Sequence, residues 1–270
     1  MLGAIIGDIV GSRFEFDIFN KRSKDFDFFH EDCRFTDDSV LTIAVGMALE
    51  SCKGDYSKLL EKTETFLKSM GQKYSLAGYG GMFTDWMYGF IEGPYNSFGN
   101  GAAMRVSAVP YFAKDLEEVK SLSHAVTAVT HNHPEGLKGA EATAVAIFLA
   151  LKGKEKEEIK DYICENYYDI GFSLNRIEDE YLLDESCQTT VPMALEAFFE
   201  STSFEDAIRN AVSIGGDSDT IAAIAGSVAG AYYGVPESMK KQAYAYYLDS
   251  MLGAIVKEFE SKHYYEAVRC

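Results

Sequence analysis

Two acid-rich stretches, far apart in the chain, each stand at the start of an apolar helix built from small residues. The first is F-T-D-D-S at 35–39, before the helical pattern of 40–50, and the second is G-G-D-S-D-T at 215–220, before that of 221–234. One acid or hydroxyl suffices to cap a helix, because its side chain satisfies a free backbone N–H and complements the helix dipole. Two acids and a hydroxyl exceed that need. We therefore predict that the two stretches meet in one site; the alternative is two distant caps.

Oxygen atoms are the only ligands that these two stretches offer. Carboxylates brought together in a protein interior repel one another and need protons or cations. Because neither stretch holds His or Cys, Mg²⁺ or Mn²⁺ is favoured over zinc. Two such ions, roughly 3.5–4 Å apart, would polarise a substrate oxygen and activate a water. The predicted metal ligands are Thr36, Asp37, Asp38, Asp217, Asp219 and Thr220.

A third stretch, S-F-G-N-G-A-A-M-R at 97–105, places glycines beside a predicted helix start. Backbone N–H groups in such a position can bind phosphate. The stretch lacks the third glycine and the preceding strand of a dinucleotide fingerprint, so a plain tight turn is the alternative. Phe98 could stack on a base, although an isolated Phe more often belongs to the core. His131 and His133 could line a pocket, although a histidine taken singly is more often structural.

Helical periodicity along most of the chain indicates how these stretches are positioned. No segment alternates convincingly as a strand would, and no low-complexity linker divides the chain. Glycines at 3, 7 and 11 form a stripe on the first helix, which predicts a close-packed neighbour. We therefore predict an all-α fold, a compact orthogonal helical bundle with a central binuclear metal site, in one domain over 1–270. The predicted helices cover 2–10, 40–50, 56–70, 82–90, 102–113, 116–129, 137–151, 153–168, 191–200, 204–212, 221–234 and 236–259.

Composition restricts the class of partner. The 42 acids against 25 bases give a net charge of -17, which argues against a general nucleic-acid or anionic-membrane surface. The five cysteines have no C-x-x-C spacing, so we expect reduced thiols in a cytoplasmic protein without a zinc site. No signal peptide and no membrane-length apolar run is expected. We expect a monomer.

Five motifs in order carry a family resemblance. They are G-D-I-V-G-S-R-F-E near the N-terminus, F-T-D-D-S, S-F-G-N-G-A-A-M-R, T-H-N-H-P-E-G and I-G-G-D-S-D-T-I-A-A-I-A-G, and they span residues 3 to about 234. Together they resemble the ADP-ribosylglycohydrolase family, which includes the dinitrogenase reductase-activating glycohydrolases and the vertebrate ADP-ribosylserine and ADP-ribosylarginine hydrolases. The resemblance implies an all-α fold around a binuclear Mg²⁺ site.

The resemblance also implies roles for individual residues. Both acid-rich stretches match the family's metal-ligand blocks, and Glu15 matches an acid above the metals. Asp38 and Asp219 are further candidates for an acid or base, and Asp85 is an alternative. The segments 17–34 and 79–95 are expected to select the leaving group. The residues that match the family's substrate pocket are Ser97, Phe98, Gly99, Asn100, Gly101 and Met104, in the loop for diphosphate and adenosine, together with His131.

These observations predict a Mg²⁺-dependent hydrolase that cleaves the glycosidic bond between ADP-ribose and an acceptor, either a modified protein side chain or a small conjugate. Carboxylates would stabilise an oxocarbenium-like transition state. One alternative is an all-α Mg²⁺ enzyme on diphosphate substrates, of the prenyl-transfer or terpene type, although the stretch that begins at Asp37 lacks the last acid of D-D-x-x-D. Another is a non-catalytic homologue, such as the jellyfish J1 crystallins that resemble this family.

Overall fold

The computed structural model describes residues 1–15, 23–176 and 184–264, and the fold of these residues is all-α, as predicted. They contain no β-strand, and an isolated bridge pairs Gly99 with Ser186. Short 3₁₀ segments (Tyr56–Lys58, Val106–Phe112, Leu174–Arg176) and π segments (Ala243–Tyr247, Glu260–Tyr264) join or extend the α-helices. The α-helices are α1 (Leu2–Gly11), α2 (Asp37–Cys52), α3 (Leu59–Lys73), α4 (Gly81–Met87), α5 (Gly101–Met104), α6 (Leu116–Thr127), α7 (Pro134–Leu151), α8 (Lys156–Asn166), α9 (Cys187–Phe199), α10 (Phe204–Ile214), α11 (Ser218–Tyr232), α12 (Glu237–Gln242) and α13 (Ser250–Phe259).

Helices α1 and α11 form the centre of the fold and the most extensive helix pair among the described residues. Every residue of α1 is buried, as is α11 from its start to Gly230. The glycine stripe of α1 faces α11: a Cβ at Gly7 would lie 2.0 Å from the carbonyl oxygen of Ala222, and one at Gly11 would lie 2.4 Å from that of Ser218. The predicted close neighbour is therefore α11, and the contact places the end of α1 beside the start of α11.

The other helices pack around this pair. Helix α2 packs against α1 and α3, whereas α7, α9 and α10 pack against α11. Helix α2 begins at Asp37 rather than Val40, so both acids of the first stretch lie in its first turn, where the helix dipole favours negative charge. Helix α9 begins at Cys187, four residues before the predicted start.

Two predicted helices are interrupted in the structure. The helix predicted over 102–113 ends as α5 at Met104 and continues as a 3₁₀ segment that contains Pro110, which has no N–H for an α-helical hydrogen bond. The helix predicted over 236–259 breaks at Leu248, whose backbone is extended. Asp249 then caps α13, because its Oδ1 accepts hydrogen bonds from the backbone N–H groups of Met251 (2.9 Å) and Leu252 (2.8 Å).

Two composition-based expectations concern the cysteines and the membrane. The four described cysteines (Cys33, Cys52, Cys164 and Cys187) are free thiols, and Cys270 lies outside the described residues. Across the described residues, no helix combines the length and the apolar character that spanning a bilayer would require. The start of the predicted leaving-group segment 17–34, up to residue 22, also lies outside them.

Candidate active site

The two acid-rich helix starts open into one cleft of about 620 Å³. Thr220 on α11 joins them directly, because its hydroxyl donates a hydrogen bond of 3.1 Å to Oδ2 of Asp38 on α2. Thr36 is the N-cap of α2 and is not one of the residues that line the cleft. The remaining predicted site residues all line the cleft: Glu15, Asp37, Asp38, Ser97, Phe98, Gly99, Asn100, Gly101, Met104, His131, Asp217, Asp219 and Thr220.

Asp8 is part of the same acidic cluster, although the sequence reasoning did not include it. Its fully buried carboxylate holds the start of α2: Oδ1 accepts from the hydroxyl of Thr36 (2.7 Å), and Oδ2 accepts from the backbone N–H groups of Thr36 (3.0 Å) and Ser39 (3.1 Å) and from the hydroxyl of Ser39. The sequence did carry a signal for Asp8. It is a single acid inside an apolar helix, and a buried charge requires partners.

The acidic cluster is charged only at a high electrostatic cost. Burial, followed by repulsion from neighbouring carboxylates, raises the pKa of Asp37 to about 8. Burial and the charge of Glu15 raise the pKa of Asp219 to about 7. The pKa values of Asp38 and Asp217 rise well above the ordinary carboxyl range, again through burial first and then through the charge of Asp219. The cluster therefore needs protons or cations at neutral pH.

The donor set fits hard divalent cations. Asp8, Asp38 and Asp219 each offer a carboxylate oxygen, and the three oxygens lie within 4.8 Å of one another. Oδ1 of Asp38 is buried and has no hydrogen-bond partner among the described residues. The remaining groups at the two helix starts are carboxylates and hydroxyls, which are ligands for Mg²⁺ or Mn²⁺. A cation here would satisfy the unpartnered oxygen and relieve the repulsion among the acids.

Glu15 lies at the edge of this cluster. It follows α1 through a turn, is half-buried and lines the cleft. Burial and the nearby charge of Asp217 raise its pKa to about 7, against the opposing charge of Arg34. A carboxyl group with a pKa near neutrality can both accept and donate a proton under physiological conditions.

A short segment around Glu185 holds the glycine loop in place. The backbone N–H of Asn100 donates to the carbonyl oxygen of Glu185 (2.7 Å), and that of Cys187 donates to the carbonyl oxygen of Phe98 (2.9 Å). The Asn100 side chain also donates to Oδ2 of Asp217, which links the loop to the acidic cluster. Asp184, Glu185 and Ser186 line the cleft. The sequence showed only an irregular acidic stretch there, because pairing with a loop almost ninety residues away leaves no periodic signal.

The aromatic and histidine candidates have different environments. The Phe98 side chain is 48% exposed at the cleft, which leaves its ring available for stacking. His131 is buried and lines the cleft, whereas His133 caps α7 by accepting a hydrogen bond from the backbone N–H of Glu135 (3.1 Å). His133 is therefore structural. Asp85, the alternative acid, is exposed on α4 and does not line the cleft.

Two further lining residues bear on the chemistry. From the sequence, Arg105 was only the last residue of the S-F-G-N-G-A-A-M-R motif. In the structure its side chain is fully buried and lines the cleft, and burial lowers its pKa to about 10. Leu41 occupies the position where a D-D-x-x-D motif would place its last acid. The cleft therefore combines buried acids, a glycine loop, an exposed aromatic ring and a buried guanidinium.

Known proteins share this sequence pattern and this fold. The chain is 28% identical to the ADP-ribosylhydrolase ARH3 of Gallus gallus over 56% of this chain and 54% of that protein. It is 30% identical to the ADP-ribosylarginine hydrolase Tri1 of Pseudomonas putida (strain GB-1) over 57% of this chain and 44% of that protein. It is 28% identical to the ADP-ribosyl-dinitrogen reductase glycohydrolase of Rhodospirillum rubrum over 76% of this chain and 70% of that protein. The match thus spans about half the length of the first two relatives.

A solved structure and a family model extend the match to nearly the whole chain. The structure, titled ADP-ribosylglycohydrolase-related protein complex, has a TM-score of 0.70 and 22% identity and covers 96% of this chain and 95% of its own, which shows a shared fold. The family model described as ADP-ribosylglycohydrolase matches residues 1–264. The chain therefore belongs to the ADP-ribosylglycohydrolase family.

Proposed function

We propose that this protein hydrolyses the glycosidic bond between ADP-ribose and an acceptor, and that the reaction depends on divalent cations. The observation that carries the proposal is the single cleft in which the acid-rich starts of α2 and α11 face the glycine loop at 97–101. The names of the relatives support it, since ARH3 and Tri1 are hydrolases of ADP-ribose linkages. We further propose that the protein acts as a cytoplasmic monomer.

The acidic cluster is the proposed metal centre, for two Mg²⁺ ions or for Mn²⁺ in their place. When bound, such ions supply the positive charge that lets the carboxylates ionise and the Lewis acidity that activates a water. Asp8, whose oxygens accept the hydrogen bonds that fix the start of α2, would also offer a carboxylate oxygen near those of Asp38 and Asp219. The proposed ligands are the carboxylates of Asp37, Asp38, Asp217 and Asp219 and the hydroxyls of Thr36 and Thr220.

The other residues of the cleft bind the substrate and move protons. We assign Glu15 to orient the attacking water or the ribose and to accept a proton, since it is half-buried at the edge of the acidic cluster and lines the cleft. Asp38 and Asp219 are the further candidates for the acid or base. Ionised carboxylates around the ribose would stabilise the positive charge of an oxocarbenium-like transition state. The loop of 97–101 with Met104 would bind the diphosphate, and the exposed ring of Phe98 would stack on adenine.

A substrate panel tests this function. ADP-ribosyl-arginine, an ADP-ribosyl-serine peptide and O-acetyl-ADP-ribose are incubated with the protein in Mg²⁺ or in EDTA, and free ADP-ribose is measured by chromatography. We expect release from at least one substrate in Mg²⁺ and none in EDTA. Asp219→Asn should abolish release, whereas Asp85→Asn, an exposed acid outside the cleft, should retain it. Release that is undiminished in EDTA, or in Asp219→Asn, would contradict the metal-dependent mechanism.

A further inference from the structure

One rim of the cleft carries large apolar side chains that face solvent. This rim segment, residues 76–90, follows α3 and contains α4. Leu76 is 98% exposed and Phe90 is 80% exposed, while Met82 and Tyr88 are about half-exposed. Scattered apolar side chains are normal on a protein surface, but several of them along one short segment beside a cleft mark an interaction site.

The rim segment is firmly attached to the rest of the fold. The Gln72 side chain of α3 donates a hydrogen bond to the carbonyl oxygen of Met87 (2.9 Å), and the backbone N–H of Phe90 donates to that of Asp85 (2.8 Å). The inner side chains of α4 are buried, namely Phe83, Trp86 and Met87. The exposed apolar side chains therefore face outward from a fixed segment.

The rim segment borders the end of the cleft that holds the acidic cluster. The backbone N–H of Asp37 donates to the carbonyl oxygen of Ala77 (2.9 Å), and a Cβ at Gly78 would lie 3.5 Å from Oδ1 of Asp37. Met82 itself lines the cleft. In the proposed function this cluster surrounds the ribose that carries the acceptor. The acceptor therefore leaves the cleft beside the rim segment.

The charges around the rim segment are acidic. From 74 to 104 the sequence contains no Lys or Arg, and its charged residues are Asp85 and Glu92, which are both exposed. Glu185, which lines the cleft, is exposed as well. A second copy of this chain, with its net charge of -17, would be repelled here. Basic side chains next to apolar ones complement this surface.

We propose that the rim segment is a docking surface for a substrate protein, and that it binds apolar and basic side chains next to the modified residue. This partner rests on the proposed function, in which the acceptor is a protein side chain or a small conjugate. A small conjugate has no atoms that extend to the rim, whereas a peptide chain continues from the modified residue in both directions. The rim segment therefore favours protein substrates.

Matched peptides test this docking. Two peptides of equal length carry ADP-ribose on a central arginine, which leucine and lysine flank in one peptide and serine and glutamate in the other. A second pair carries ADP-ribose on a central serine. Release of ADP-ribose in Mg²⁺ gives kcat and KM for these peptides and for ADP-ribosyl-arginine and ADP-ribosyl-serine. For the cleaved linkage, we expect a KM roughly tenfold lower for the leucine–lysine peptide than for its partner, the effect of burying one large apolar side chain.

Substitutions of the exposed side chains identify the surface. Leu76→Asn and Phe90→Asn should each lose most of the peptide preference. Leu76→Asn should cleave the small conjugates like the wild type, because Leu76 is solvated and does not line the cleft. Tyr246→Asn is the matched control, since Tyr246 is 79% exposed outside the cleft, and it should keep the preference. Equal KM values for the two peptides in the wild type, or an unchanged preference in both rim variants, overturn the proposal.

Fluorescence anisotropy of the labelled peptides in EDTA separates docking from catalysis. The wild type should bind the leucine–lysine peptide more tightly than its partner, and Leu76→Asn should not. Equal binding of the two peptides, or binding of neither, overturns the docking surface. A preference in binding without cleavage of any substrate in Mg²⁺ refutes the proposed function and supports the docking surface. Sedimentation velocity should show a monomer; a wild-type dimer that Leu76→Asn dissociates would mean that a second copy covers the rim, and would overturn the proposal.

Discussion

Replacing Gly7 by alanine should separate the two helices on which the acidic cluster is built. The added Cβ would lie 2.0 Å from the carbonyl oxygen of Ala222 and 2.8 Å from the backbone nitrogen of Ala223. Both obstacles are backbone atoms of α11, which no rotamer change can move away. Since ordinary contact begins at 3.4 Å, α1 and α11 must move apart locally by about 1.4 Å.

The displacement has two measurable consequences. Overpacking in a well-packed core typically costs about 1–3 kcal/mol, and the rigid obstacle places Gly7→Ala at the upper end of that range. Asp8 is the next residue, and its carboxylate oxygens hold Thr36 and Ser39 at distances of 2.7–3.1 Å, which a shift of this size would disrupt. We therefore expect a lower free energy of unfolding and weaker Mg²⁺ binding.

Urea denaturation and calorimetric Mg²⁺ titration measure these effects. Gly253→Ala on α13 is the matched control, because its Cβ would meet its nearest neighbour, Tyr244, at an ordinary 3.8 Å. That variant should keep Mg²⁺ affinity and gain up to about 1 kcal/mol from helix propensity. A Gly7→Ala protein with wild-type stability and wild-type Mg²⁺ affinity would refute the argument that glycine-mediated contact positions the site.

Three further predictions concern the cleft. Glu15→Gln should lower turnover by roughly 10²–10⁴-fold while Mg²⁺ and ADP-ribose affinities measured by calorimetry stay unchanged, whereas Asp217→Asn should lose metal binding and turnover together; near-normal turnover in Glu15→Gln would remove that residue from the mechanism. Gly101→Val should weaken ADP-ribose binding in calorimetry, because its side chain would start 3.3 Å from Nε2 of His131, and unchanged affinity would mean that the loop is misassigned. In EDTA, the free energy of unfolding should fall as pH rises from 6 to 8.5, because the folded protein binds protons on site carboxylates such as Asp37, whose pKa is about 8, that the unfolded chain has already released. Urea denaturation across this range should show Mg²⁺ reversing the loss, and a rise in stability with pH in EDTA would contradict the acidic cluster.

Local patterns were enough to predict much of this architecture. The glycine stripe at 3, 7 and 11 and the small residues of 221–234 indicated close helix packing, since only small side chains let two backbones approach. The acids of both helix starts exceeded the needs of capping, and the structure places them in one cleft. The helix packing was predictable because it depends on side chains within one or two helical turns, whereas the meeting of the two helix starts, 182 residues apart at Thr220 and Asp38, was inferred from their excess of acids.

The features that sequence reasoning missed depend on partners distant in the chain. Asp8 gains its role from Thr36 and Ser39, which α2 brings to it from about thirty residues away. Arg105 stands in a recognisable motif, yet only the fold shows that its partner is Thr130. The prediction of a single helix over 236–259 was wrong for a local reason. Asp249 caps a new helix in the middle of an apolar pattern.

We propose that the starts of α2 and α11 form a two-metal centre beneath bound ADP-ribose. A crystal grown with Mn²⁺ and ADP-ribose, measured for anomalous scattering at the manganese edge, tests this most directly. We predict two manganese peaks, roughly 3.5–4 Å apart, between the carboxylates of Asp37 and Asp38 and those of Asp217 and Asp219, with the ribose in contact with them. Manganese bound elsewhere, or ADP-ribose bound in the cleft with no manganese among these carboxylates, would rule out a two-metal centre at these helix starts.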